Sequence, residues 1–172
     1  MKKLFLPAII CSLFLFSFTY VQDWVKYISS EGHYTIFFPV TPIESTTTDT
    51  TEDKIPYLFH YATCAPVDTE VYLAGWTDMS SYYPKDKTIK QLLEETRDKS
   101  IAPMHVVSVA TSKIELGEDP FIEFTFRTTE YVGKERLYII NKFQYSIITL
   151  GSLTTGVTQK MDKFITSFKY LR

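Results

Sequence analysis

Three histidines (His33, His60, His105) and Cys64 are the side chains of this chain best suited to bind a metal or attack a carbonyl. Their spacing supports neither chemistry. His60 and Cys64 share one face of a predicted strand, but four strand residues span ~13 Å, whereas zinc ligands lie ~2.0–2.3 Å from a single ion. No HExxH or CxxC occurs, and no metal ligand or cofactor is expected. A GxSxG elbow is absent as well, and Cys64 has neither a base beside it in sequence nor a helix start to lower its pKa. No catalytic residue is expected.

The acidic run ELGEDPFIE holds Glu115, Glu118, Asp119 and Glu123. Calcium needs six or more converging oxygens, and glycosidase carboxylates face each other across a cleft. Glu118 and Asp119, next to Pro120, read instead as a solvated turn. The six glycines are scattered and form no phosphate cradle. GWTDMSSYYPKD, residues 75–86, is the candidate binding surface. Trp76 ends a strand, and Tyr82, Tyr83 and Pro84 sit in the loop before a helix. Aromatics on a loop are stiff contact anchors with a polar tip, and the competing reading has them packing inward to staple the helix start. In the threonine-rich run STTTDTTED, Thr50 is a candidate O-glycosylation acceptor, the alternative being a plain solvated loop.

These residues need elements to position them. Alternating apolar runs and turn residues predict about eight strands and two helices. DWVKYIS and HYTIFFP form a hairpin around Glu31-Gly32, with Tyr34, Ile36 and Phe38 on one face. IPYLFHYATC and EVYLAGWTDM pair with each other. TIKQLLEETRDKSI carries helical spacing, a Thr88/Gln91 capping box and a terminating Pro103. FIEFTFRTTE and KERLYIIN form a hairpin with its tip at Val132-Gly133. Phe124, Phe126 and Thr128 then share a face with Leu137 and Ile139. GVTQKMDKFITSF is the second helix, with Val157, Met161, Phe164, Ile165 and Phe168 along one stripe. Several strands are apolar on both sides, which points to cover on both faces of the sheet.

The first 22 residues stand apart. Lys2 and Lys3, an apolar run from Leu4 to Phe18, and small residues Ser17 and Thr19 have the layout of a secretory signal peptide. An uncleaved membrane anchor is the alternative reading, since the run approaches the ~18–20 residues of a span. Lipidation at Cys11 is disfavoured by the bulky Ile10 before it. Without this leader the formal charge moves from −2 to −4, because two lysines and no acid are lost. A mildly acidic domain offers nucleic acid no basic face, and one remaining cysteine allows no internal disulfide. Residues 23–172 read as one domain of ordinary size.

The order and spacing of these segments resemble the PsbP-like family, small exported domains related to an extrinsic photosystem II protein. The residues that carry the likeness are YTIFFPVTP, VYLAGWTD before the first helix, PFIEFTF, RLYIIN with FQYSIITL, and the closing FITSFKYL. The resemblance implies an α+β fold, an antiparallel sheet covered by helices on both faces (an α/β/α sandwich), and accessory roles through protein contacts without a catalytic site. The expectation is therefore an exported, periplasmic or extracellular, non-catalytic domain that binds an envelope or secreted protein. A carrier of a small apolar ligand in a sheet–helix cavity is the alternative, and a hydrolase built on one of the histidines is the third reading.

Overall fold

The computed structural model describes residues 23–51 and 54–172. Its strands are β1 (Val25–Ser29), β2 (Tyr34–Phe38), β3 (Ile43–Thr50), β4 (Pro56–Val67), β5 (Glu70–Asp78), β6 (Ser108–Glu115), β7 (Phe121–Arg127), β8 (Tyr131–Ile140), β9 (Phe143–Ser152) and β10 (Lys169–Tyr170). Helix α1 (Ile89–Ile101) runs into a short 3₁₀ turn (Ala102–Met104), and α2 (Gln159–Thr166) precedes β10. Seven strands form one antiparallel sheet in the order β3-β4-β5-β9-β8-β7-β6, and β1-β2-β10 form a second, smaller one.

Side-chain alternation along the strands creates two separate cores. Phe121, Tyr138, Ile140, Tyr145 and Ile147 join Tyr34, Ile36 and Phe38 of the small sheet and Met161, Phe164 and Ile165 of α2. The neighbouring positions Ile122, Phe124, Phe126, Leu137 and Ile139 join Leu92 and Leu93 of α1. The two clusters therefore occupy opposite sides of β7 and β8. The expected antiparallel sheet is present, and its two faces are covered differently. The first core is closed by a three-stranded sheet together with a helix, and β3, exposed at all eight residues, lies at the sheet edge. The described residues are mostly antiparallel sheet with two α-helices. The small sheet arises because Tyr34, Ile36 and Phe38 present a fully apolar face to the large one, and β10, too short to read from sequence, adds to β2.

Both helices start as their sequences dictate. Thr88 Oγ1 accepts from the Gln91 N–H at 3.3 Å, and Gln91 Oε1 accepts from the Thr88 N–H at 2.9 Å. Thr158 Oγ1 accepts from the Met161 N–H at 3.4 Å. Helix α2 stops at Thr166, short of the expected Phe168, which is nevertheless buried against the rings of Tyr34, Tyr138 and Tyr145. The β7–β8 tip also differs from the expected one. Arg127 pairs with Val132 and Phe126 with Gly133, so the turn spans Thr128 to Glu130 and the Thr128 side chain bonds its backbone. The Phe126 ring lies over the bare backbone of Gly133, where no Cβ would fit.

β8 and β9 join through Asn141 and Lys142, both in the left-handed region at φ 50° and 67°. That pairing is the type I′ turn, whose second position glycine fills without strain. Lys142→Gly is expected to raise stability by about 1 kcal/mol, read as a higher urea midpoint with an unchanged slope.

Candidate binding cleft

The expected surface residues do not come together. Trp76 of β5 lies on the side of the first core, while Tyr82 and Tyr83 pack with Met79 against the α1 core. Tyr82, Tyr83 and Pro84 are half-buried, and the Tyr82 ring sits 5.6 Å from that of Tyr57. The loop aromatics thus brace the start of α1, and burial pushes the Tyr82 phenol up.

Trp76 has different company. It is paired across the ladder with His60 of β4, which in turn faces Thr46 of β3. The indole and imidazole stack at 4.3 Å with 18° between planes. Thr46 Oγ1 lies 2.9 Å from His60 Nδ1. Glu44, two residues before Thr46, projects on the same side of β3. Across from this floor stands the β1–β2 hairpin with Tyr27, Ser29, Ser30, Glu31 and Tyr34. Between them is an open cleft of about 370 Å³.

Its roof is held by hydrogen bonds and one close approach. The Tyr34 hydroxyl donates to the Ala74 carbonyl at 3.2 Å, and the Gly32 N–H donates to Ser29 Oγ at 3.1 Å. Burial, reinforced by the nearby Glu44 carboxylate, pushes the Tyr27 phenol up to about 12. Gly32 was expected to serve the turn, yet the left-handed residue there is His33, at φ 53°. Gly32 matters because a Cβ on it would stand 2.7 Å from both Ser29 Oγ and Trp76 Cδ1. Gly32→Ala is expected to lift the hairpin from Trp76, lower stability by about 1–3 kcal/mol, and shift the tryptophan emission; an unchanged midpoint would refute that contact.

The other candidate residues remain apart. His33 sits in the turn with its ring 6.1 Å from Phe143, and His105 caps the 3₁₀ turn. Cys64 is a free, buried thiol whose pKa is raised by burial against an opposing Val40 backbone contact. Among the described residues no three His, Cys, Asp or Glu are placed to hold a metal ion. The acidic run is dispersed among separate cations. Glu115 pairs with Lys113 at 2.6 Å, and Glu118 and Asp119 pair with Arg172 at 3.0 and 2.8 Å. Glu123 meets Arg136 and, at 3.0 Å, Lys134. Thr50 is exposed on β3, with Asp49 accepting from its N–H at 2.7 Å. Residues 1–22, expected to be a leader and including Cys11, lie outside the described residues.

Sequence alone offers no feature that announces the cleft, since its walls come from β1, β2, β3, β4 and β5. The alternation of Glu44, Thr46 on one strand and His60 on its partner is the only hint. The cleft lies between two sheets and is lined largely by hydroxyls and carboxylates, unlike the apolar sheet–helix cavity that a carrier would need.

No protein-family model and no curated protein matches this chain. Among solved structures, the solution structure of cyanobacterial PsbP (CyanoP) from Synechocystis sp. PCC 6803 aligns with a TM-score of 0.53 at 10% identity, over 87% of this chain and 94% of that one. The likeness extends along almost the whole described region and shows a PsbP-like fold.

Proposed function

We propose that this chain is an exported, non-catalytic binding domain whose protein partner docks at the cleft floored by Trp76. The observation that carries the reading is an aromatic anchor held rigid in an open, polar cleft. Trp76 is fixed between the His60 ring and Phe143, at 4.3 and 5.8 Å, and a stiff, partly desolvated tryptophan is the kind of side chain on which interface energy concentrates. The leader layout of residues 1–22 supports export. The PsbP-like fold supports the sandwich with helices on both faces and, by analogy alone, an accessory role.

The test is a pull-down of the C-terminally tagged protein from its native cell envelope, wild type against Trp76→Ala and Tyr82→Ala, with mass spectrometry of what is retained. A stoichiometric protein retained by the wild type and by Tyr82→Ala, and lost with a folded Trp76→Ala, supports the reading. Retention independent of Trp76 sinks the cleft as its site. N-terminal sequencing of the same sample should show cleavage between Thr19 and Asp23; an intact Met1 in the cytosolic fraction would sink export.

A further inference from the structure

The hydrogen-bonding inventory of the cleft points to the chemistry of its ligand, and this step rests on the binding reading above. Among the described residues, neither lysine nor arginine lines it. Glu31 and Glu44 are acceptor-only as carboxylates, and the hydroxyls of Ser30, Ser45 and Thr46 can turn to accept or donate. Ser29 Oγ already accepts from Gly32, and the Tyr27 phenol stands beside Glu44. The cleft therefore offers more acceptors than donors and carries only negative formal charge. An anionic ligand would meet two carboxylates with no compensating cation. An ammonium or guanidinium group brings donors and no acceptors, and gains the stronger charge-assisted hydrogen bonds. At about 370 Å³ the cleft is at the small end for ligand sites, suited to one long side chain or a small amine.

The geometry points to a cation-recognition cleft that seats an ammonium or guanidinium group against Glu44, with Glu31 at the rim and the Trp76–His60 stack as floor. The group can come from a lysine or arginine of the protein partner or from a free amine, and the chemistry is the same.

Nuclear magnetic resonance on the purified protein tests it, following the Trp76 indole N–H and the His60 ring. The probes are N-acetyl-arginine amide, N-acetyl-lysine amide, 1,4-diaminobutane and, as uncharged control, N-acetyl-glutamine amide. Saturable shifts with a cationic probe are expected, at least about fivefold weaker in Glu44→Gln and weakened again by salt. A response to the side-chain amides assigns the source to a protein partner, and one to the diamine alone assigns it to a free amine. Equal shifts with the glutamine amide, no saturable shift with any probe, or full response in both Glu44→Gln and Glu31→Gln would overturn it. The two readings fail separately. A partner captured through Trp76 but indifferent to Glu44→Gln removes the cation chemistry alone, whereas cation shifts in a protein that captures nothing remove the protein partner alone.

Discussion

Glu123→Ala is expected to destabilise the protein by about 3–5 kcal/mol, the usual consequence of leaving a buried cation without its partner. Glu123 lies on β7, and Arg136 and Lys134 reach it from β8. Its side chain is only 10% exposed, and those of Arg136 and Lys134 15% each. Arg136 Nε donates to Glu123 at 2.8 Å, its Nη1 donates to Tyr138 at 3.2 Å, and its guanidinium lies 4.6 Å over the Phe121 ring. Lys134 continues to Asp162 of α2 at 2.7 Å. Without Glu123 the guanidinium keeps one phenol and a ring face, far from enough to replace a carboxylate. Replacing Glu123 and Arg136 together by leucine and methionine should cost much less than either charge removed alone, because no unpaired ion then remains. Urea melts of the single and double variants decide the matter; a Glu123→Ala midpoint within error of wild type would show the network to be idle.

The second large effect has the opposite sign. Glu135→Gln is expected to stabilise the protein at pH 8 by up to about 3 kcal/mol, or roughly 6–12 °C in melting temperature. Glu135 is completely buried on the α1 side of the sheet. Ser100 of α1 donates to one of its oxygens at 2.7 Å and Ser146 of β9 to the other at 2.6 Å, with no cation paired to it among the described residues. Burial pushes its carboxyl up to about 7, the two serines opposing that only in part. A carboxyl raised on folding contributes stability that is complete below its ordinary pKa and lost as pH rises through 7. A glutamine keeps both serine contacts without a charge to bury, so its advantage shrinks to under about 1 kcal/mol at pH 5. Equal melting temperatures at pH 8 would refute a buried, ionising Glu135.

Glu123 supplies the other limb. Burial pushes its carboxyl up, but Lys134 and Arg136 outweigh that and hold it below its usual range. Its contribution is complete above the ordinary carboxyl pKa and disappears as pH falls through the lowered one. Between the two carboxyls, stability should be greatest in mildly acidic solution, with Glu135→Gln flattening the alkaline side only.

Much of this framework was legible because local rules and tertiary packing agree. The Thr88/Gln91 box marked the start of α1, and the aromatic alternation in Tyr34, Ile36 and Phe38 marked a one-sided strand. The β7–β8 hairpin shows how a partial reading survives. Its tip was misplaced, so Phe126 faces Gly133 instead of Ile139. The displacement is six residues, an even number, and strand faces repeat every two. Phe124 and Phe126 therefore still share a core with Leu137 and Ile139. The cleft was not legible. Trp76 was grouped with Tyr82 and Tyr83 by closeness along the chain. Strand alternation sends Trp76 to one side of the sheet, and the turn after Asp78 carries the tyrosines to the other. Nor could spacing reveal that the first hairpin would leave the main sheet, since β10, the strand that completes its own sheet, has only two residues.

The strand order β3-β4-β5-β9-β8-β7-β6 is two meanders laid edge to edge. Each closes through turns between neighbours in the chain. They meet at β5 and β9, whose paired residues stand between 65 (Asp78 with Phe143) and 81 (Glu70 with Gly151) positions apart. A second seam joins β2 of the first part to β10 of the last. The chain is in effect an internal heterodimer, with the loop at residues 79–88 as its tether and α1 part of the second half's core. Cut within the loop at residues 80–87, it divides into halves that carry complementary edges at both seams, so that reassembly of the two pieces depends on matched strand edges while the covalent link serves only to keep them close.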